Sequence, residues 1–249
     1  MKAAMKKFLN GMFWNDCRLS LSVPHAGTTD TAIAIFEKNL ASIAWHHMSL
    51  FEHIPATLSE TESILQGREA EGICDEHRAQ ILNYADGAQQ LMALLRKDCF
   101  VLNQENASLL HGYVGKEDAL TWGTFRNSNV TIHGVAYVPP RFTELGEIAR
   151  NGFSFLAEHI EPATAAVAAF LFMARSQFFH DANKRTASLM MNGVLMQSGY
   201  SPVAVPHSDA EEFHTRLAAF YETGDASAMM AFFSRAAETL FSSPHHERE

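Results

Sequence analysis

The sequence predicts a mainly α-helical fold carrying one small β-hairpin. Apolar residues recur at three- and four-residue intervals through most of the chain, the spacing of buried helix faces. A single segment, TWGTFRNSNVTIHGVAYVPP, instead alternates apolar and polar residues around a glycine and closes on two prolines. A tight polar loop, with Asp181, Asn183, Lys184 and Arg185, opens directly into an apolar helix. At 249 residues and 47% hydrophobic, the chain is long enough for one substantial core, or a core with an appended segment.

Composition narrows the function. A formal charge of −9 argues against general nucleic-acid or membrane-surface binding, both of which need a basic footprint. Cys17, Cys74 and Cys99 are odd in number and widely spaced, which suggests reduced thiols rather than a disulfide framework or a zinc site. Asn10, Gly11, Asn15 and Asp16 break the opening MKAAMKKFL stretch too early for a signal peptide. The longest apolar run, Ala163 to Ala174, is shorter than the ~20 residues of a membrane span. A soluble, cytoplasmic protein is expected.

In chain order, Ile33, Phe36, Leu40, Ile43, Ala44 and Met48 predict a helix over residues 31–51. Pro55 should end it, and Thr57 or Ser59 can cap the next, with Glu60 and Glu62 favourable in its first turn. Ile81, Tyr84, Ala88, Leu91, Leu94 and Leu95 predict a helix over 76–97, and Asn103 caps another over 104–111. The hairpin follows, with Val130 and Ile132 on one arm, a turn at Gly134, and Val135, Tyr137 and Val138 on the other. Helices are expected at 144–160 and 163–176, the second central because it is almost wholly apolar. After the polar loop, Leu189, Met190, Val194 and Leu195 continue a helix that Gly199 and Pro202 close. Two more, 210–221 and 226–240, complete the fold, with Met229, Met230, Phe232 and Phe233 as core packing. The division is 1–75, a helical N-terminal region; 76–240, the core; and 241–249, a tail expected to be disordered.

The polar loop carries the chemical clue. A helix start presents unpaired N–H groups and the positive end of the dipole, a natural seat for phosphate. Cations are disfavoured there unless an anion meets them, so Lys184 and Arg185 point to phosphate binding. On spacing alone, Asp181 serving as a plain N-cap beside solvated Lys184 and Arg185 is an equal alternative.

DANKRTA resembles the signature of the Fic/Doc (Fido) family, His-x-Phe-x-Asp/Glu-Gly/Ala-Asn-x-Arg, at Phe179, Asp181, Ala182, Asn183, Lys184 and Arg185. Ala182 with Lys184 is similar to the Doc branch, and Gln177 stands where the family has its catalytic His. The hairpin is similar to the family's flap, at Gly123, Phe125, Arg126, Pro139 and Pro140. LSET at 58–61 sets a register that places Glu52 on the glutamate of the family's inhibitory helix and His53 on the position after it. The resemblance implies a Fic/Doc-type helical domain with a flap, preceded by a helical region placed to regulate it; on its residues alone, Glu52 as an exposed helix-end carboxylate is an equal alternative.

It further implies transfer of AMP from ATP to a Ser, Thr or Tyr hydroxyl of a target protein. Asp181 would hold Mg²⁺, Asn183 and the amides of Ala182 to Arg185 would bind phosphate, Lys184 lies in the same loop, and Arg185 would clamp oxygens with its fork of donors. The flap, at Val130, Thr131, Ile132, His133, Gly134 and Val135, would hold the target by strand addition. An amide cannot serve as general base, so Gln177 predicts a weak or altered transferase, with His180 the nearest surrogate and His53 a remoter one. Ser188 stands where many relatives carry a second arginine, the partner of the inhibitory glutamate. Two other readings stay open: a catalytically silent module that binds nucleotide or a partner, and a Doc-like kinase toxin. The first of these is met by Gln177; the second is disfavoured by the long N-terminal region. His46, His47 and His53 do not make a metal set. A homo-oligomer is compatible with the sequence, and the target protein is not identified by it. Burial of Arg185 against a carboxylate, with no cavity beside Asn183, would end the phosphate reading.

Overall fold

The computed structural model describes residues 1–15 and 21–239. Cys17 and the expected disordered tail, 241–249, lie outside the described residues. Among the described residues, eleven α-helices run in the order α1 (Lys2–Phe8), α2 (Thr29–Lys38), α3 (Leu40–Glu52), α4 (Leu58–Leu65), α5 (Asp75–Arg96), α6 (Gln104–Val114), α7 (Leu145–His159), α8 (Pro162–Ser176), α9 (Asn183–Gln197), α10 (Ala210–Thr223) and α11 (Ser227–Thr239).

Helix α8 is the axis. Every residue from Ala163 to Ser176 is buried, as its almost wholly apolar sequence requires, and α9 packs along it. Glu161 caps α8 by accepting from the Ala163 and Thr164 amides, with Pro162 at the first turn. Two glycines let neighbouring elements approach closely. A Cβ on Gly152 of α7 would lie 2.2 Å from Phe172 Cζ, and one on Gly193 of α9 would lie 2.3 Å from Phe100 Cζ.

The N-terminal helices are not an appendage. One cluster of buried side chains runs from Met5 through Ile33, Phe36 and Met48 to Phe233 and Ala237, so α1 to α4 share the core of α5 to α11. The expected cap at Thr57 forms a full capping box with Glu60. Asn103 caps α6 by accepting from the Asn106 amide.

Three expectations need correction. The single helix over 31–51 is two, broken at Asn39, whose side chain folds back onto the Ile35 carbonyl at 2.8 Å. Its apolar period continues across the break, which hides the break in sequence. Helix α1 had no forecast of its own; Ala4, Met5, Phe8 and Leu9 do recur at helical spacing against the core, but over only two turns.

The third concerns the hairpin. No strand ladder joins 125–132 to 135–140, and the only β-bridges among the described residues are Phe13 with Asp225 and His25 with Tyr200. The segment is two arms without regular structure about a turn at His133–Gly134, where Gly134 takes φ +81°. Its alternation survives as burial, with Val130, Ile132, Val135 and Tyr137 turned inward and Thr131 and Ala136 outward. The arms bond elsewhere instead of to each other. The Ala136 amide donates to Glu222 at 2.6 Å, and Asn10 donates to the Tyr137 hydroxyl at 2.9 Å. At the base, Arg126 substitutes for a ladder by donating to the Ser128 and Pro140 carbonyls at 2.7 and 2.5 Å.

Candidate functional site

The loop between α8 and α9 is closed by one side chain. Asn183 accepts from the Phe179 amide and donates to the Phe179 carbonyl, both at 2.9 Å, making a tight ring of backbone around residues 179–183. Gln177 ends α8 in the left-handed region at φ 49°, and Ala182 opens α9 at φ 54°. Two non-glycine residues in that region mark a strained, well-supported turn. Phe178 and Phe179 are both fully buried and anchor it.

No side chain caps α9. Its first N–H groups, from Asn183 to Arg185, therefore keep the anion-seeking character of a helix start. Asp181 does not serve as N-cap; its Oδ1 takes the Ala182 amide at 2.5 Å, and the side chain is 58% exposed at the rim of the loop.

Arg185 is where expectation and structure part. It was expected to offer an open fork to phosphate, but its side chain is 0% exposed. Its Nη1 donates to the Val114 carbonyl at 3.1 Å, and its Nη2 contacts Asp118. Its Nε lies 2.8 Å from Glu52 Oε1, though the N–H is not aimed along that line, so the contact is one of charge rather than an aligned hydrogen bond. A buried guanidinium needs counter-charge, and Glu52 and Asp118 supply it. Asp118 is held in turn by Gln80 at 3.1 Å. Nothing in local sequence flagged Asp118, since it sits in an irregular stretch after α6.

Glu52 comes from the last turn of α3, and burial raises its pKa above the ordinary carboxylate range against the pull of Arg185 and Lys184. Helix α3 also grips α9 through a directed chain of buried groups. Ser188 donates to the Arg185 carbonyl at 2.7 Å, so its oxygen accepts from the Tyr84 hydroxyl at 3.3 Å. Tyr84 accepts in turn from His47 Nδ1 at 2.7 Å. Burial, helped by neighbouring His46, pulls the His47 pKa down to about 3.

Gln177, at the end of α8, is tied down. Its Nε2 donates to the Ala174 carbonyl at 2.7 Å and its Oε1 accepts from Asn183 at 3.0 Å. His180 points to the flap, with Nε2 3.1 Å from Asn127 Oδ1. His53 is exposed at the left-handed end of α3, its ring 5.3 Å from that of His214. The flap starts against this loop: the Arg126 amide donates to Phe178 and its Nε to the Gln177 carbonyl at 2.6 Å. His111 of α6 was not anticipated. It stacks on Phe179 with ring centroids 3.8 Å apart.

Residues 101–195 match the model of the Fic/DOC family. Protein adenylyltransferase Fic of Drosophila erecta is 27% identical over 223 residues, covering 84% of this chain and 44% of that protein. The chain carries a Fic/DOC family domain. It spans less than half the length of that curated relative. Fic-1 (residues 134–508) of C. elegans superposes with a TM-score of 0.72 at 20% identity, covering 82% of this chain and 63% of that one. A Fic-domain signalling protein of Bacteroides thetaiotaomicron superposes with a TM-score of 0.69 at 14% identity, covering 82% and 84%. The helices around the Fic/DOC loop thus adopt the fold of those proteins, and the family match ends before α10. No described helix is long and apolar enough to cross a membrane.

Among the described residues no group of three or more His, Cys, Asp or Glu is arranged to hold a metal. An exposed Asp181 carboxylate with only Oδ1 engaged nevertheless suits Mg²⁺ carried in on phosphate oxygens, an ion that takes one or two protein carboxylates in such sites.

Proposed function

We propose that this chain is a Fic-type protein adenylyltransferase of low turnover, held closed by α3. The reading rests on one observation: Glu52, from the N-terminal region, lies against Arg185 of the Fic/DOC loop at 2.8 Å. The curated relatives carry the name protein adenylyltransferase. ATP phosphates would sit on the uncapped start of α9 with Lys184 beside them. Arg185 joins them once Glu52 withdraws, exchanging one anion for another. Asp181 would hold Mg²⁺, which would supply charge neutralisation for the phosphates. The loop does this by position and charge alone, which is most of what phosphoryl and nucleotidyl transfer requires.

No group in the loop takes the proton from an attacking hydroxyl. Gln177 has no basic lone pair at neutral pH, and its amide is occupied at both ends. His180 retains Nδ1 in its neutral form, but its contact is with Asn127 of the flap arm. That same pinned Gln177 favours a second reading, a nucleotide-binding domain without turnover. The target, a protein hydroxyl, would lie along the flap arms, where Ala136 must first release Glu222.

Calorimetry with ATP–Mg²⁺ on wild type and Glu52→Gln tests the shared premise. Binding in the variant, tighter than in wild type, is expected; no binding to either folded protein ends both readings. Incubation with α-labelled ATP and candidate proteins then separates slow transfer from none.

A further inference from the structure

The histidine that the proposed chemistry leaves unused, His111, is fully buried and has both ring nitrogens assigned. The Gly123 amide donates to Nδ1 at 3.0 Å, which fixes the proton on Nε2. Nε2 then donates to the Asp181 carbonyl at 3.2 Å. The ring lies parallel to Phe179, with an interplanar angle of 6°. Space around it is full: a Cβ on Gly115 would fall 2.6 Å from Nε2. Burial pulls the imidazole pKa down to about 4, so the neutral form persists throughout ordinary pH. One side chain therefore joins the first residue of the flap passage, the aromatic anchor of the loop, and the peptide that carries the Asp181 carboxylate.

We propose that His111 is a positioning residue for Asp181, holding its peptide so that the carboxylate meets the cation that accompanies a nucleotide's phosphates. The proposal rests on the nucleotide reading above. Polar partners behind metal-binding groups are commonly worth ~10–100-fold in metal affinity.

The two ring nitrogens can be mimicked separately. His111→Gln places an amide nitrogen where Nε2 stands and restores the donor to Asp181. His111→Asn places an amide oxygen where Nδ1 stands and restores only the acceptor for Gly123. His111→Phe keeps the stack on Phe179 and removes both bonds. Each variant is titrated with ATP by calorimetry, in Mg²⁺ and in chelator, in the wild-type and Glu52→Gln backgrounds, with thermal unfolding as a folding control. The ratio of affinity with Mg²⁺ to affinity without it should fall ~10-fold or more in His111→Asn and His111→Phe and be kept in His111→Gln. Affinity in chelator should be unchanged. Equal ratios in all four proteins, or a His111→Gln ratio as low as that of His111→Asn, would overturn the positioning role while leaving nucleotide binding intact. Absence of binding in every background, with the proteins folded, removes the nucleotide reading and this inference together.

Discussion

Asn183 Nδ2 lies 3.0 Å from Gln177 Oε1, so Gln177 is a structural member of the loop in which the sequence reading gives it a catalytic place. Its other end is bonded to Ala174. A side chain fixed at both ends by neutral hydrogen bonds holds a loop well and moves no proton.

Gln177→His should therefore restore the missing base without rebuilding the fold. Positioned acid–base catalysis contributes ~10²–10⁴-fold, and transfer of label from ATP should rise by about that range. Parity between variant and wild type, both folded and both binding ATP, would place the defect elsewhere in the site.

Glu52→Gln should raise ATP affinity, by roughly 5–150-fold if the coupling between brake and ligand is of ordinary size. The same variant reports on pH. Burial raises the folded-state pKa of Glu52 above its ordinary 4.5. The stability that this group contributes is present below 4.5 and is lost as pH rises through the folded value. The unfolding midpoint of wild type relative to Glu52→Gln should fall as pH is raised from 4.5. A flat difference would show that Glu52 is solvated in solution.

Histidines give the opposite slope. The pKa values of His46 and His111 are held at about 4 and that of His47 at about 3, all by burial first. Stability from these neutral imidazoles is present above 6.5 and is lost as pH falls from there toward 4 and 3, at about 1.4 kcal/mol for each tenfold difference in proton affinity. Denaturant titration across pH 7 to 4 should show the decline, and His47→Phe should flatten part of it.

Arg126 holds the flap arms to each other and to the loop through the Ser128, Pro140 and Gln177 carbonyls. Hydrogen bonds from a charged donor contribute about 1.5–3 kcal/mol each at most, so Arg126→Gln should lose a few kcal/mol. Proteolysis should then concentrate between residues 127 and 141. Unchanged cleavage would show that the arms are held without the guanidinium.

Gly193→Ala should cost about 1–3 kcal/mol in urea unfolding, because the added methyl would stand 2.3 Å from Phe100 Cζ and that ring is itself buried. Little or no loss would mean that Phe100 can turn aside.

Periodicity made the helices readable, and the central place of α8 followed from its lack of any polar face. The loop was readable because its residues are contiguous. What remained hidden depends on partners far apart in sequence. Arg185 reads as a free cation until Glu52, Asp118 and the Val114 carbonyl fold around it. His111 reads as one polar residue in an amphipathic helix until Gly123 and Asp181 meet its two nitrogens. Alternation in 130–138 was real, but it reported which side chains face the core and carried no information on whether the two arms bond to each other.

Ser188 is fully enclosed, giving its proton to the Arg185 carbonyl and taking one from Tyr84. An arginine at that place would need the volume that Tyr84 now fills. A second arginine in this loop is thus not a single substitution away, and an engineer who wants one should begin by shortening the tyrosine at position 84.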